Sequence, residues 1–120
     1  MSEISSPRRG DIISVRFDPT EGSEQAGLRP ALVISPDFIN ERAPVILVAP
    51  LTTRKTERIY PFETLIEAQE GGITQRSKVM LLHVCGIDKS RIAGTYGRLS
   101  EDTMKRVDES LCVAVGLTAL

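Results

Sequence analysis

The sequence predicts a mainly β protein, a small and strongly curved sheet or partly open barrel with one amphipathic α-helix at the C-terminal end. Three observations predict this fold class. The apolar runs are short, glycine and proline separate them at close intervals, and the hydrophobic period becomes helical only after residue 100. Periodicity alone does not distinguish a curved sheet from a barrel.

The first two strands are predicted on either side of a polar loop. Residues 12–17 read I-I-S-V-R-F, a roughly alternating pattern with β-branched and aromatic residues. Residues 18–27 are polar and contain two glycines, which predicts a loop. Pro30 keeps Arg29 out of the helical region. The unbroken apolar run at 31–34 then predicts a strand that is buried on both faces.

Three more strands are predicted in the middle of the chain, at 44–51, 59–66 and 78–84. The prolines of the first of these lie near its ends, where a missing backbone donor is tolerated. The glycine pair at 71–72 predicts a turn. A short helical turn at 88–91 and a weak strand at 92–97 complete the expected sheet.

The last predicted element is an amphipathic helix. Ser100 is a favourable N-cap, and the acidic residues after it complement the helix dipole. Apolar side chains then recur at spacings of three and four, which predicts about four to five helical turns that cover the sheet. The apolar stripe consists of Met104, Val107, Leu111, Val115 and Thr118.

Length and composition restrict the class of protein. A chain of 120 residues supports one modest core, so we expect a single domain over residues 1–120. No apolar run approaches the roughly 20 residues that span a bilayer, and the N-terminus lacks a signal-peptide core. We therefore expect a cytoplasmic protein that does not associate with a membrane. The only histidine, His83, and the two cysteines, Cys85 and Cys112, offer no zinc site or disulfide framework.

Net charge does not indicate a general nucleic-acid coat. The total is −1, whereas proteins that coat RNA usually carry a basic excess. An RNA site must therefore be a local patch. The best candidate is the stretch 52–58, T-T-R-K-T-E-R, with three basic residues and one acid. An ordinary solvated loop is an equally good interpretation of that stretch.

Three segments together resemble the MazF/PemK toxins of type II toxin–antitoxin systems. Residues 9–34 are similar to the family's opening strand, flexible loop and second strand, and this match is the most specific. Residues 48–53 (V-A-P-L-T-T) followed by 60–62 (Y-P-F) form the second segment. The third lies within 81–100 and comprises L-L, I-D-K-S-R-I and G-R-L-S in that order. The segments cover most of the chain in the family's order.

The resemblance implies a small SH3-like barrel, the fold shared with the gyrase-poisoning CcdB toxins, and a homodimer whose two-fold interface forms RNA grooves. It also implies an mRNA interferase, an endoribonuclease that needs no metal or other cofactor. Such an enzyme cleaves single-stranded RNA to a 2′,3′-cyclic phosphate and a 5′-hydroxyl. The expected partner is a cognate antitoxin with a disordered acidic and apolar segment that folds across the groove.

The chemistry requires a cation, because RNA supplies the nucleophilic 2′-hydroxyl and the enzyme must stabilise the extra charge on phosphorus. Arg29 is the predicted catalytic cation, since a guanidinium can bind two phosphate oxygens and the resemblance assigns it this role. The alternative is an exposed arginine paired with Glu24 or Asp37. Thr52 is predicted to donate to a phosphate oxygen, as the family's threonine does. Thr53 replaces it if the strand end shifts by one residue.

Further candidate residues lie in the two polar loops. Glu24 is a candidate catalytic base or an orienting partner for the arginine, in a loop that can close over RNA or order when the antitoxin binds. The remaining candidates would bind RNA, largely through backbone phosphates, and would give affinity without sequence information. They are Gln25, Thr53, Arg54, Lys55 and Arg58.

The sequence departs from the family between residues 83 and 86. An imidazole could move a proton, but a lone histidine such as His83 at the end of a buried strand is more often a packed core residue. The family usually has a polar residue near this point and an arginine two residues later, where this chain has Cys85 and Gly86. The departure removes an expected phosphate or dimer contact and leaves the cleavage rate and sequence preference open.

Two other functions remain open from the sequence. A non-enzymatic toxin of the same fold would bind a protein target such as gyrase through the C-terminal helix. The weak basic character of the whole chain favours this alternative. A decayed family member would only sequester antitoxin, which the substitution at 85–86 favours. Both alternatives predict that the protein does not cleave RNA.

Overall fold

The computed structural model describes residues 6–17 and 27–119. This part of the chain forms an antiparallel sheet, two α-helices and three 3-10 turns. The strands are β1 (Asp11–Arg16), β2 (Leu28–Val33), β3 (Val45–Thr52), β4 (Glu63–Ile66), β5 (Ser77–Met80), β6 (Cys85–Asp88) and β7 (Ile92–Arg98). The helices are α1 (Asp37–Arg42) and α2 (Glu101–Ala114), and the 3-10 turns are Glu70–Gly72, Leu81–His83 and Lys89–Arg91.

The sheet bends around β3. Its strand order is β4-β5-β3-β2-β1-β7, and β6 pairs with the first half of β3. One edge of β3 therefore pairs with β6 over Val45–Val48 and with β5 over Leu51–Thr52, while β2 occupies the other edge. The mainly β architecture with a C-terminal helix confirms the predicted fold class, although strand pairing does not close the sheet into a complete barrel.

Close packing of two backbone segments, without strand pairing between them, completes the barrel-like shape. The connection between β4 and β5 lies against β7, where Gly71 and Gly72 approach Tyr96 and Gly97. A Cβ atom built on Gly72 would lie 2.0 Å from the carbonyl oxygen of Tyr96. Two edge regions of the sheet thus meet through glycines, because no side chain fits between them.

Two apolar clusters fill opposite faces of the sheet, since consecutive residues of a strand point to opposite sides. The larger cluster lies between the sheet and α2, and the smaller cluster lies on the other face. The larger includes Ile12, Leu32, Ile34, Ala49, Leu51, Ile66, Val79, Leu81 and Val107. The smaller consists of Ile13, Val15, Ala31, Val33, Ile46, Val48 and Ile87. Residues 31–33 contribute to both clusters, which confirms the prediction of a strand buried on both faces.

The predicted strand at 78–84 is wrong as a single element. β5 ends at Met80, the 3-10 turn Leu81–His83 follows, and β6 begins at Cys85. The register of pairing with β3 shifts by three residues between β5 and β6, which equals the length of the turn. The turn is therefore an insertion in one interrupted strand, and like a bulge it bends the sheet.

Other boundaries also differ from the expectations. The predicted strand at 59–66 is regular only over β4, because 59–62 belong to the preceding loop. Helix α1 was not predicted, since its six residues are too few to show a helical period. Helix α2 ends at Ala114, so Val115 and Thr118 lie beyond it and are exposed, against the predicted stripe. Within the described ranges, no helix has the length and apolar character needed to cross a membrane.

The N-terminus of α2 confirms the predicted cap. The Ser100 hydroxyl oxygen accepts a hydrogen bond from the Thr103 backbone N–H at 3.2 Å. Its own backbone N–H and hydroxyl donate to the Glu70 carboxylate, both at 3.3 Å. The cap therefore joins the helix to the β4–β5 connection.

Replacement of Ser100 by alanine is expected to lower the free energy of unfolding by about 1 kcal/mol, because an orphan N–H at the helix start loses its acceptor. Urea denaturation followed by circular dichroism measures the change. Ser100→Thr is the matched control, because it keeps a hydroxyl that can accept from Thr103 and donate to Glu70, and it should keep most of the stability. Equal stability of the alanine variant and the unsubstituted protein would contradict a stabilising role for this cap.

Candidate active site

Strands β2 and β3 bring Arg29 and Thr52 to the same face of the sheet. Ala31 pairs with Pro50, and the same register continued by two residues places Arg29 opposite Thr52. Residues directly opposite in an antiparallel pair project to one face, with Cβ atoms about 4.5–5.5 Å apart. The two residues predicted to act on the phosphate, separated by more than twenty positions in sequence, are therefore neighbours where the two strands end.

Arg29 is exposed, and its strand partner on the other side is the buried Val15. Its guanidinium makes no ion pair with any described carboxylate. Asp37, the alternative partner, accepts a hydrogen bond from the Arg9 backbone N–H at 2.8 Å and lies 3.7 Å from the Arg8 guanidinium. The alternative pairing with Asp37 is therefore wrong, because that carboxylate is occupied elsewhere.

Two of the predicted residues fall between β1 and β2. Glu24 and Gln25 lie outside the described residues. The predicted roles of Glu24 as a base or orienting group, and of Gln25 as an RNA contact, stay predictions.

Thr52 is the more constrained of the two candidate threonines. It is the last residue of β3 and is half-buried, whereas Thr53 is exposed and lies beyond the strand. The Thr52 hydroxyl oxygen accepts a hydrogen bond from the Arg54 backbone N–H at 3.1 Å. Because the oxygen is used as an acceptor, the hydroxyl hydrogen can be directed to another acceptor. This geometry suits donation to a phosphate oxygen.

The basic loop lies next to Thr52. Arg54, Lys55 and Arg58 are exposed, and Lys55 adopts a left-handed backbone with φ of 56°. A small cavity of about 390 Å³ opens in this loop. Its walls are formed by Lys55, Glu57, Arg58, Tyr60 and Lys78. The loop therefore collects positive charge beside the strand that carries the candidate threonine.

Sequence reasoning missed four side chains that organise this loop: Tyr60, Phe62, Glu63 and Lys78. The rings of Tyr60 and Phe62 stack with centroids 5.4 Å apart and an interplanar angle of 1°. Lys78 donates to the Glu63 carboxylate at 2.9 Å, with side chains only 7% and 10% exposed. The neighbouring Tyr60 side chain raises the pKa of Arg58. Aromatic residues flanking a proline next to a basic loop were the available signal.

The region that departs from the family has an unexpected structure. His83 is exposed in the 3-10 turn rather than packed in the core, so that expectation is wrong; the interruption of the strand turns this residue outward. Cys85 packs against the smaller cluster, and burial raises the pKa of its thiol. A Cβ atom on Gly86 would lie 3.1 Å from the Val45 side chain. Apolar packing therefore occupies the place of the expected arginine.

Two further features of the described chain lie apart from these residues. A hollow of about 620 Å³ beside β1 and β7 is lined by none of the predicted site residues. Among residues 6–17 and 27–119, no three His, Cys, Asp or Glu side chains converge as metal ligands.

Comparison with known proteins bears on the whole chain. Residues 8–115 match the family model for the PemK-like, MazF-like toxin of type II toxin–antitoxin systems. Endoribonuclease EndoA of Bacillus subtilis (strain 168) is 34% identical over 110 residues, which is 92% of this chain and 95% of that protein.

Solved structures agree with the sequence comparisons. MazF from Deinococcus radiodurans (Form-I) is 31% identical with a TM-score of 0.74, over 94% of this chain and 99% of that one. MazE-MazF (Form-II) from the same organism is 29% identical with a TM-score of 0.78, over 96% and 100%. These matches confirm the predicted family, its fold and its endoribonuclease class. The chain belongs to the PemK-like, MazF-like toxins of type II toxin–antitoxin systems.

Proposed function

We propose that this chain is a metal-independent endoribonuclease toxin that cleaves single-stranded RNA and leaves a 2′,3′-cyclic phosphate and a 5′-hydroxyl. The observation that carries the proposal is the register of β2 and β3, which pairs Ala31 with Pro50. Extended by two residues, this register sets the exposed Arg29 across from Thr52. The basic loop follows that threonine directly. This arrangement combines a positive charge that can stabilise the phosphorane, a hydroxyl that can donate a hydrogen bond, and basic side chains that can bind the RNA backbone.

Arg29 has the central role in the proposed mechanism. The 2′-hydroxyl attacks the adjacent phosphorus, and negative charge increases on the non-bridging oxygens of the five-coordinate phosphorane. The guanidinium binds two of these oxygens, and the Thr52 hydroxyl donates to one of them. The P–O5′ bond then breaks, and the leaving 5′-oxygen takes a proton from water to become the 5′-hydroxyl. Glu24 is the proposed base that accepts the 2′-hydroxyl proton, or the carboxylate that orients Arg29.

The remaining site residues bind the rest of the RNA. Arg54, Lys55 and Arg58 are exposed beside β3, so they can contact successive backbone phosphates. Thr53 and Gln25 contribute polar contacts in the same proposal. Affinity that depends on these phosphate contacts falls steeply with salt concentration.

The proposed partners follow from the family. We propose that the toxin acts as a homodimer in the cytoplasm, folded as one domain over residues 1–120. The exposed Val45 and Leu47 on β3 flank Gly86 and form an apolar surface suited to self-association. A cognate antitoxin with an acidic and apolar segment would occupy the position of Arg29, displace the loop at 22–27 and silence the enzyme. The Deinococcus relative, which crystallised as MazE-MazF, supports such a partner.

The experiment that tests the proposal is cleavage of a single-stranded RNA in excess EDTA, with chemical analysis of the ends. We expect cleavage with chelator, a 5′-hydroxyl that a kinase labels without prior phosphatase, and a cyclic phosphate on the other fragment. The control substrate carries a single 2′-deoxyribose at the cleaved position and should stay intact. Cleavage of this control, or loss of activity in EDTA, would contradict the mechanism. A protein that cuts no RNA would support the gyrase-type or decayed alternatives.

The two adjacent threonines provide a matched pair for the assignment of the hydroxyl donor. Thr52→Val is expected to lower the single-turnover cleavage rate by about 10²-fold, the usual effect of removing one donor to a charged transition state. Thr53→Val, which makes the same chemical change one residue later, should stay within about threefold of the unsubstituted rate. A larger loss in Thr53→Val than in Thr52→Val would reverse the assignment.

A further inference from the structure

An exposed tyrosine ring stands in the middle of the basic loop. Tyr60 is 43% exposed and forms one wall of the cavity of about 390 Å³. One face of its ring rests on Phe62 at 5.4 Å. The Arg58 guanidinium carbon and the Lys78 ammonium each lie 5.9 Å from the ring centroid, near the outer limit of a cation–π contact. An aromatic surface surrounded by cations is the combination that single-stranded nucleic acids bind.

The ring is held in place by a buried ion pair. Glu63 accepts a hydrogen bond from the Tyr60 backbone N–H at 3.1 Å, and its own backbone N–H donates to the Tyr60 carbonyl at 2.9 Å. Lys78 binds the same carboxylate at 2.9 Å and donates to the Arg58 carbonyl at 3.1 Å. The backbone on both sides of the ring is therefore fixed, so a ligand that stacks there loses little to ordering the loop.

The ion pair also connects the ring to the proposed catalytic threonine. Lys78 is the cross-strand partner of Thr52 in the pairing of β3 with β5. The loop that carries Tyr60 folds over Lys78, whose ammonium donates to the Arg58 carbonyl. Because directly opposed residues of an antiparallel pair project to one face, Thr52 lies beside Lys78 on that face. A nucleotide whose phosphate reaches Thr52 therefore has a neighbouring base within reach of the tyrosine ring.

We propose that Tyr60, supported by Phe62, stacks on an RNA base next to the scissile phosphate, and that the Glu63–Lys78 pair is the positioning element. The inference rests on the proposed RNA cleavage and adds a base-binding subsite to it. It also explains a preference for single strands. A base inside a duplex is already stacked on its neighbours and cannot turn toward a protein ring.

The chain itself provides a specific optical test. It contains two tyrosines, Tyr60 and Tyr96, and no tryptophan. In Tyr96→Phe the fluorescence comes from Tyr60 alone, and in Tyr60→Phe from Tyr96 alone. The probe is an oligoribonucleotide with 2′-deoxyribose at the cleaved position, which binds without being cut. We expect it to quench the fluorescence of Tyr96→Phe and leave that of Tyr60→Phe nearly unchanged. Equal quenching in both variants, or none in Tyr96→Phe at binding saturation, would overturn the proposal.

Affinity gives an independent measurement with a matched control. Tyr60→Leu removes the ring and keeps an apolar side chain, and we expect about a tenfold or greater rise in Kd for the same probe. Tyr96→Leu changes a tyrosine of the same 43% exposure on β7, and should bind like the unsubstituted protein. An abasic nucleotide at the stacked position should weaken binding to the unsubstituted protein but not to Tyr60→Leu. Additive losses from the abasic site and Tyr60→Leu would contradict stacking.

The positioning role is separable from direct contact. Glu63→Gln keeps an amide oxygen that accepts from both Tyr60 and Lys78, so the fluorescence quenching should persist in the Tyr96→Phe background. Glu63→Leu removes the acceptor, and compared with Glu63→Gln the quenching should fall and the KM for RNA cleavage should rise. Equal quenching in the two folded variants overturns the positioning role. Where Glu63→Leu does not fold, Lys78→Gln is the second variant, judged by the same two readouts.

These outcomes distinguish the subsite from the proposed function. If the unsubstituted protein cuts RNA but Tyr60→Leu binds the probe equally well, only the stacking inference fails. If the unsubstituted protein binds the probe with quenching of Tyr60 but cuts no RNA in the end-group assay, the subsite stands and the proposed function fails.

Discussion

Replacement of Arg29 by alanine is expected to lower the single-turnover rate of RNA cleavage by about 10³-fold. A guanidinium that binds two phosphorane oxygens acts mainly in the transition state, and arginines in comparable roles contribute about 10³ to 10⁵ in rate. Arg29 is exposed and makes no ion pair within the described residues, so its removal should leave the stability nearly unchanged. The rate is measured at saturating enzyme, and thermal unfolding verifies the fold.

Two further variants distinguish the bidentate geometry of the Arg29 guanidinium from the effect of its positive charge alone. Arg29→Lys keeps the charge but cannot bind two oxygens in a fixed geometry, so we expect a rate between those of the alanine variant and the unsubstituted protein. Arg54→Ala removes another exposed arginine two residues after Thr52. Its effect should be on affinity, with the salt slope of binding reduced by about one phosphate contact. Equal rate losses in Arg29→Ala and Arg54→Ala would contradict the catalytic role of Arg29 and indicate that it is only one of several contacts to the RNA backbone.

The sequence predicts the extended backbone at Arg29 well, because the signals for it are local. A proline after it keeps the backbone extended, and the fully apolar run that follows requires a central strand. The identity of the strand opposite it has no such local signal. Register depends on which apolar face of one strand meets which face of the next, so the β2–β3 register, from which the Arg29–Thr52 juxtaposition is extended, becomes visible only in the fold.

The base-binding side chains were missed for a related reason. The residues at 59–62 contain tyrosine, phenylalanine and isoleucine, a composition typical of a strand, yet they lie in a loop. Burial of Lys78 depends on that loop folding over it, and the loop in turn depends on the Lys78–Glu63 ion pair. His83 was misjudged in the same way. An apolar run predicted one strand, whereas the curvature of the sheet requires an insertion at 81–83.

Replacement of Gly72 by alanine should lower the free energy of unfolding by about 2–5 kcal/mol. The residue has φ of +83°, where a Cβ atom costs roughly 1–2 kcal/mol. The new methyl group would also lie 2.0 Å from the carbonyl oxygen of Tyr96, so β7 must move, and overpacking of this kind costs about 1–3 kcal/mol more. Urea denaturation gives the value.

Gly94→Ala is the matched control because it makes the same chemical change on β7. A Cβ atom there meets no atom within 4 Å, so the stability should change by less than about 0.5 kcal/mol. If both variants lost equal stability, the contact between the β4–β5 connection and β7 would not be what completes the barrel. Strands β2 and β3, which carry Arg29 and Thr52, contribute no atom to the contact between Gly72 and β7. Folded Gly72→Ala should therefore cleave RNA at a normal rate per folded molecule, and a lower rate would indicate that the closure also positions β2 and β3.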